Sequence, residues 1–305
     1  MRGFALLLVL VAGATAQQGS LVNSVRALIA RNDLAGAERL TRYYQTNSPE
    51  STEVAAALSW LARASLAARR LDRAEALAAE TAKLAARLAM GKRLDADPWL
   101  PTAAGAAIEV HAQVLAARGE RPEALEYLQA QMKQFTGTSL LERIRKNINL
   151  LSLEGKPAPA FDARQTWLAG KPVTLESLRG RPVLLFFWAH WCSDCKAEVE
   201  VIAKLKGTFE KDGLAVVGPT RLYGYAAGGD EATPAKEKAY IEEIRRKFYT
   251  ALRDMPVPLS SANFVAYGAS STPTLVLIDR AGIVRYYHPG AVNGAELTAQ
   301  IRAVL

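Results

Sequence analysis

The chain holds two cysteines, Cys192 and Cys195, and both stand in one stretch, AHWCSDCKAEVE, at residues 189–200. Two residues between thiols suit reversible sulfur chemistry. One thiolate attacks a disulfide, and the second thiol, one helical turn on, attacks the mixed disulfide and frees the product. A structural staple across so short a loop would add little stability. The attacking species is the thiolate, so the nucleophile needs a lowered pKa. A helix N-terminus provides one through its unpaired N–H groups and partial positive charge. Cys192 opens a predicted helix over 192–211 and is the expected exposed nucleophile; Cys195 is the expected resolving thiol.

Cys195, Glu198, Ile202, Leu205 and Phe209 step by three and four along that helix and so share one apolar, inward face. Glu198 is then a carboxylate on a buried stripe one turn beyond Cys195, where burial raises its pKa and it can take or give the proton of the resolving thiol. The competing expectation is that Glu198 reaches solvent at the helix edge or pairs with Lys196 or Lys204. Asp194 puts a negative charge between the thiols, which opposes thiolate formation and favours a less oxidising pair.

Metal chemistry fits poorly. A zinc site wants four ligands, and the chain adds only His111, His190 and His288 to the two thiols. His190, at a strand end, is expected to point away or outward. Copper delivery wants wider cysteine spacing and a histidine before a late strand. A peroxiredoxin-type site wants Thr or Ser where Ala189 stands. No histidine is given a role, and no metal or cofactor is expected.

The elements that must position these residues differ between the two halves of the chain. Residues 20–151 are rich in Ala, Leu, Arg and Glu, with apolar residues at helical spacing: Leu66, Leu71, Ala74 and Leu77, or Leu125, Leu128 and Met132. Three segments look alike: ALIARNDLAGAERL (27–40), ASLAARRLDRAEAL (64–77) and AQVLAARGERPEAL (112–125). Each predicts a helix, a tight polar turn and a second helix that opens with small residues, allowing close packing. The pattern resembles tetratricopeptide-type hairpins, with uneven spacing and most aromatic positions missing, and an ordinary α-helical domain accounts for it as well. A boundary falls at 153–159. Beyond it, PVLLFFWA (182–189) and LAVVG (214–218) predict buried strands. KAYIEEIRRKFYTAL (238–252) predicts an amphipathic helix with Ile241, Ile244, Phe248 and Leu252 on one stripe. TPTLVLID (272–279) and IVRYY (283–287) predict a hairpin, and 295–305 a closing helix. These form an α/β sandwich around a mixed sheet flanked by helices.

A strand running into Trp191-Cys192-Ser193-Asp194-Cys195-Lys196 at a helix start, with Ser271-Thr272-Pro273-Thr274 before a later strand, resembles the thioredoxin fold. With Gly155-Lys156-Pro157-Ala158-Pro159-Ala160-Phe161 and Glu198, the chain from 155 to 305 is similar to the TlpA/ResA-like exported thiol–disulfide oxidoreductases. The resemblance implies a cis peptide before Pro273, and Trp191, Thr272 and Pro273 as the residues that meet substrate, with the backbone at Thr272 pairing with an extended peptide. It also implies a redox-active Cys192–Cys195 disulfide with Glu198 beside it. Ser193-Asp194 replaces the usual x-Pro of the motif, and Val199 stands where many relatives have Pro. Residues 219–233, with Gly228-Gly229, are expected to form a flexible loop: a disordered insertion, or a rim of the site with Tyr223 and Tyr225 as contacts.

Arg2, an apolar run at 4–12 and Ala14-Thr15-Ala16 read as a secretory signal peptide over 1–16, too short to span a bilayer. The organisation expected is therefore 1–16 signal peptide, 17–152 helical repeat-like domain and 153–305 thioredoxin-like domain. The protein is expected to be periplasmic or extracellular, where disulfides persist. The formal net charge is +8, but basic residues scatter among acidic ones without a block or interleaved aromatics, which argues against nucleic-acid binding. The expected function is protein-disulfide reduction, with protein disulfides as substrates, an upstream thiol donor and a protein partner on the helical half. Oxidase or isomerase activity at the same residues, or an interaction protein with a vestigial redox site, are the alternatives.

Overall fold

A computed structural model describes residues 20–305; the signal segment over 1–16 lies outside the described residues. Seven helices come first: α1 (Leu21–Ala30), α2 (Leu34–Asn47), α3 (Thr52–Ala67), α4 (Leu71–Ala89), α5 (Leu100–Ala117), α6 (Arg121–Gln134) and α7 (Leu140–Ser152). The three look-alike segments are the joints of α1–α2, α3–α4 and α5–α6. Each turn carries one left-handed residue, Asn32, Arg69 or Gly119, which reverses the chain in few residues. Ala37, Ala74 and Ala124, each four positions after the residue that precedes the second helix, are fully buried. A side chain no larger than methyl at that crossing lets the paired helices approach closely.

The α/β part follows: β1 (Thr166–Ala169), β2 (Val183–Phe187), α8 (Ser193–Thr208), β3 (Ala215–Val217), α9 (Pro234–Phe248), β4 (Val257–Leu259), α10 (Ser261–Tyr267), β5 (Thr274–Ile278), β6 (Val284–Pro289) and α11 (Gly294–Arg302). One sheet has the order β3-β2-β5-β6, with β2 parallel to β3 and antiparallel to β5. Every residue of β2 and β5 is buried, because helices cover both faces; this is why their sequences are unbroken apolar runs. Leu184, Phe186, Leu275 and Leu277 face α8, α9 and α11. Leu185, Phe187 and Val276 face Phe264 and Tyr267 of α10. The predicted mixed sheet flanked by helices is the fold observed. The β1–β4 pair and α10 were not foreseen, since each is too short to show periodicity.

Phe248, expected on the buried stripe of its helix, is 38% exposed. The helix ends there, Tyr249 and Leu252 turn inward in its place, and the Phe248 ring instead lies beneath the ammonium groups of Lys196 and Lys247. The helical part meets the α/β part where α7 packs on α10. At the end of α10, Gly268 adopts φ +60 and its Cα faces the backbone of Lys146. A side chain there would collide with α7, so this glycine allows the close approach.

Candidate active site

Strand β2 delivers the chain into the site through Trp188, whose buried indole donates to the Gly218 carbonyl at 3.0 Å. The backbone then turns, with Cys192 N–H donating to Ala189 O at 3.1 Å, and enters α8. Cys192 is the N-cap of that helix, and its Sγ accepts the N–H of Cys195 at 3.0 Å. One sulfur thus takes the place a Ser or Asp side chain occupies in an ordinary cap. The same geometry holds negative charge when the disulfide is reduced. The two cysteines form a disulfide across a Cα–Cα distance of 5.3 Å.

Cys192 was expected to be exposed; it is 4% exposed, and the neighbouring Trp191 is 49% exposed. Bonded to Cys195, its sulfur lies beneath the loop that precedes β5, 3.4 Å from the Thr272 carbonyl oxygen. The Thr272–Pro273 peptide is cis. The Pro273 carbonyl accepts from Gly290 N–H at 2.8 Å and the Ser271 carbonyl from Thr274 Oγ1 at 2.7 Å, so the loop is tied at each side of the proline.

Glu198 is buried, at 5% exposure, and does not turn out toward Lys196 or Lys204. Its Oε1 accepts the N–H of Val292, between β6 and α11, at 2.8 Å, and its Oε2 is buried with no hydrogen-bond partner among the described residues. Burial raises its pKa above the ordinary glutamate value, against the opposing pull of the Val292 N–H. Asp194, in the first turn of α8, is exposed.

The residues 219–233 are not a loose insertion. Glu237 of α9 is 1% exposed and accepts the backbone N–H groups of Tyr223 and, at 2.8 Å, of Gly224. This carboxylate holds the loop as a wall beside the thiols. Tyr223 meets Trp191 edge-on at 5.6 Å between ring centroids. His190 does not point outward, as expected from its place after a strand. It is 1% exposed, its Nε2 lies 3.4 Å from Glu237 Oε1, and the edges of Tyr223, Tyr225 and Tyr240 surround its ring. The wall folding over it is what buries it, and that burial lowers its pKa against the pull of Glu237. Glu237 had a legible signal, because it lies four and seven positions before Ile241 and Ile244 on the same buried stripe.

Residues 155–287 match the AhpC/TSA family. Over 143 residues the chain is 34% identical to the thiol:disulfide interchange protein DsbE of Yersinia pestis, a match covering 47% of this chain and 67% of that protein. It is 30% identical over 155 residues to DsbE of Pseudomonas fluorescens biotype C, covering 50% of this chain and 77% of that one. The chain belongs to the thiol–disulfide oxidoreductases of the thioredoxin superfamily. The thiol-disulfide oxidoreductase ResA of Bacillus thuringiensis is also similar, 30% identical over 132 residues, which are 43% of this chain and 66% of ResA. Seven helices, α1–α7, precede the matched family region in this chain.

Proposed function

We propose that the protein is an exported protein-disulfide reductase in which Cys192 attacks, Cys195 resolves and Glu198 handles the proton of Cys195. The observation that carries this reading is the Cys192 sulfur at the cap of α8, accepting the Cys195 N–H and facing the Thr272 carbonyl. In the reduced protein the Cys192 thiolate attacks one sulfur of a substrate disulfide, and the other substrate sulfur leaves as a thiolate and takes up a proton. Cys195 gives its proton to the Glu198 carboxylate and attacks the Cys192 sulfur. The second substrate thiolate leaves, and the pair becomes the disulfide present here. Two electrons have passed to the substrate, and an upstream dithiol restores the pair. Trp191, Thr272 and Pro273 meet the substrate chain, with Thr272 pairing to it in extended form.

Asp194 supports the reducing direction, because its charge near the cap opposes the thiolate that a strong oxidant stabilises. The basic, apolar and small-residue order of residues 2–16 supports export. No helix among the described residues is long and apolar enough to cross a membrane. The helical hairpins before residue 153 form a separate domain that selects the partner.

Cys192→Ala is expected to abolish reduction of insulin disulfides. Cys195→Ala is expected to alkylate at Cys192 and accumulate mixed disulfides, seen by mass spectrometry. Alkylation of Cys195 ahead of Cys192 in the reduced wild type would reverse the two roles. A glutathione redox titration is expected to place the pair nearer the thioredoxin potential of about −270 mV than the DsbA value of about −120 mV. A potential at the oxidising end would make the protein an oxidase.

A further inference from the structure

Beside the thiol site, a cleft of about 400 Å³ opens between helices α3, α5 and α7 and the loop before Pro273. One wall is Ser270 and Ser271, both exposed; the next residue is Thr272, whose carbonyl oxygen lies 3.4 Å from Cys192 Sγ. The other wall is a charge cluster from three separate helices. Arg63 Nε, Arg143 Nε and Lys146 Nζ all reach the single carboxylate of Glu109, at 3.6, 3.2 and 2.8 Å. Their side chains keep only 15–21% of their exposure. Three cations against one carboxylate leave an excess of two positive charges. Partial burial screens that excess less than open solvent would. Arg63 also lies over the face of Trp60, 5.0 Å from the ring centroid, which fixes the guanidinium at the cleft floor. The close approach of Gly268 to Lys146 holds the two walls in register.

We propose that this cleft is a substrate subsite for an acidic side chain, an Asp or Glu of the polypeptide whose cysteine is bound at Cys192. The inference rests on the thiol-exchange reading and adds what the helical part contributes to it. Thr272 follows Gly268 by four residues, a reach of at most about 14 Å. A substrate strand rising about 3.3 Å per residue along Thr272 therefore brings its acidic group into the cleft within about four residues of its cysteine. The charge excess attracts the carboxylate, the serine hydroxyls can donate to it, and a lysine at the same place is repelled.

The test uses the full-length protein and synthetic peptides that carry one disulfide and Glu, Gln or Lys at each of the four positions flanking the cysteine on either side. The wild type is expected to reduce the best-placed Glu peptide with a kcat/KM about three- to tenfold above its Gln counterpart at low ionic strength. Lys should fall below Gln, and the differences should shrink as salt is added. In the Arg143→Gln, Lys146→Gln double variant the Glu-to-Gln ratio is expected to fall towards one. Equal rates for Glu, Gln and Lys peptides at every position, with measurable reduction, would overturn the proposal; this holds whether or not the double variant folds. A second readout separates the cleft from the thiol chemistry. A Glu peptide with Cys replaced by Ser should shift the indole N–H resonance of Trp60, assigned with Trp60→Phe, more than the Gln peptide does. If no peptide is reduced but that shift saturates, the cleft stands and the reductase reading falls. If no peptide is reduced and no shift occurs, the cleft proposal falls as well.

Discussion

At Cys192 a cap position and the proposed redox position coincide. A helix start needs an acceptor for its free N–H groups, and here the acceptor is sulfur. Glu198, one turn beyond Cys195, is a carboxylate with one buried oxygen bound to a single N–H and the other bound to none among the described residues. Since its pKa is raised in the folded chain, its ionisation opposes folding. That penalty is absent below the pKa of the unfolded chain, where the group is protonated in both states. It grows as pH rises through the folded pKa. Glu198→Gln keeps an oxygen for Val292 N–H and removes the charge. Its stability relative to wild type is therefore expected to be level below about pH 4, where the unfolded glutamate is protonated, and to rise as pH climbs from there through the folded pKa, in urea unfolding. A difference that stays flat with pH would mean that the carboxyl ionises without penalty. The same variant is expected to change the pH profile of the release step, in which Cys195 loses its proton, more than that of the attack by Cys192. Stopped-flow traces of the two steps with profiles identical to wild type would remove Glu198 from the chemistry.

Between elements, the decisive contacts are those that hold loops against the thiols. Glu237 of α9 holds the wall that carries Tyr223, and α7 holds the loop that carries Pro273. The second of these depends on Gly268. Its left-handed φ disfavours a Cβ by about 1–2 kcal/mol, and the Lys146 backbone leaves no room for one. Overpacking of this kind costs a further 1–3 kcal/mol or so. Gly268→Ala is expected to destabilise the protein by about 2–5 kcal/mol in chemical denaturation, and to slow reduction of peptides more than of small disulfides by moving Ser270 and Ser271. A loss of no more than about 1–2 kcal/mol, the cost of the left-handed φ alone, would show that α7 can shift freely from α10.

In the whole molecule, the apolar cores on the two sides of residue 153 are separate. Leu58, Leu77, Leu100 and Val110 belong to one set of clusters, and Leu153, Phe187, Trp188 and Leu277 to the other. The contacts that cross include Glu142 with Arg221 and Gly268 against Lys146, where α7 packs on α10. A chain shortened to residues 153–305 is therefore expected to fold cooperatively by circular dichroism and to reduce insulin. It should be less stable than the full chain, because the face of α10 that met α7 is now in water, and it should lose the preference for acidic peptides. Failure to fold would mean that the seam between α7 and α10 is part of one common core.

The sequence by itself determined what local chemistry and periodicity can carry. The spacing of Cys192 and Cys195 and the apolar runs of β2 and β5 were legible as such. So was the buried stripe that includes Glu198, and so were the three hairpin turns, each of which rests on neighbours in the chain. What only the tertiary structure decided concerns residues whose surroundings come from far away. His190 is buried because a loop some 30 residues later closes over it and Glu237 anchors that loop. Phe248 is exposed because the helix stops and Tyr249 takes the inward place. Arg63, Glu109, Arg143 and Lys146 read as scattered surface charge in three helical patterns, and they form one cluster only when α3, α5 and α7 pack side by side. Helical periodicity says which face of each helix turns inward, but not which helices become neighbours, and charge pairing is a property of neighbours.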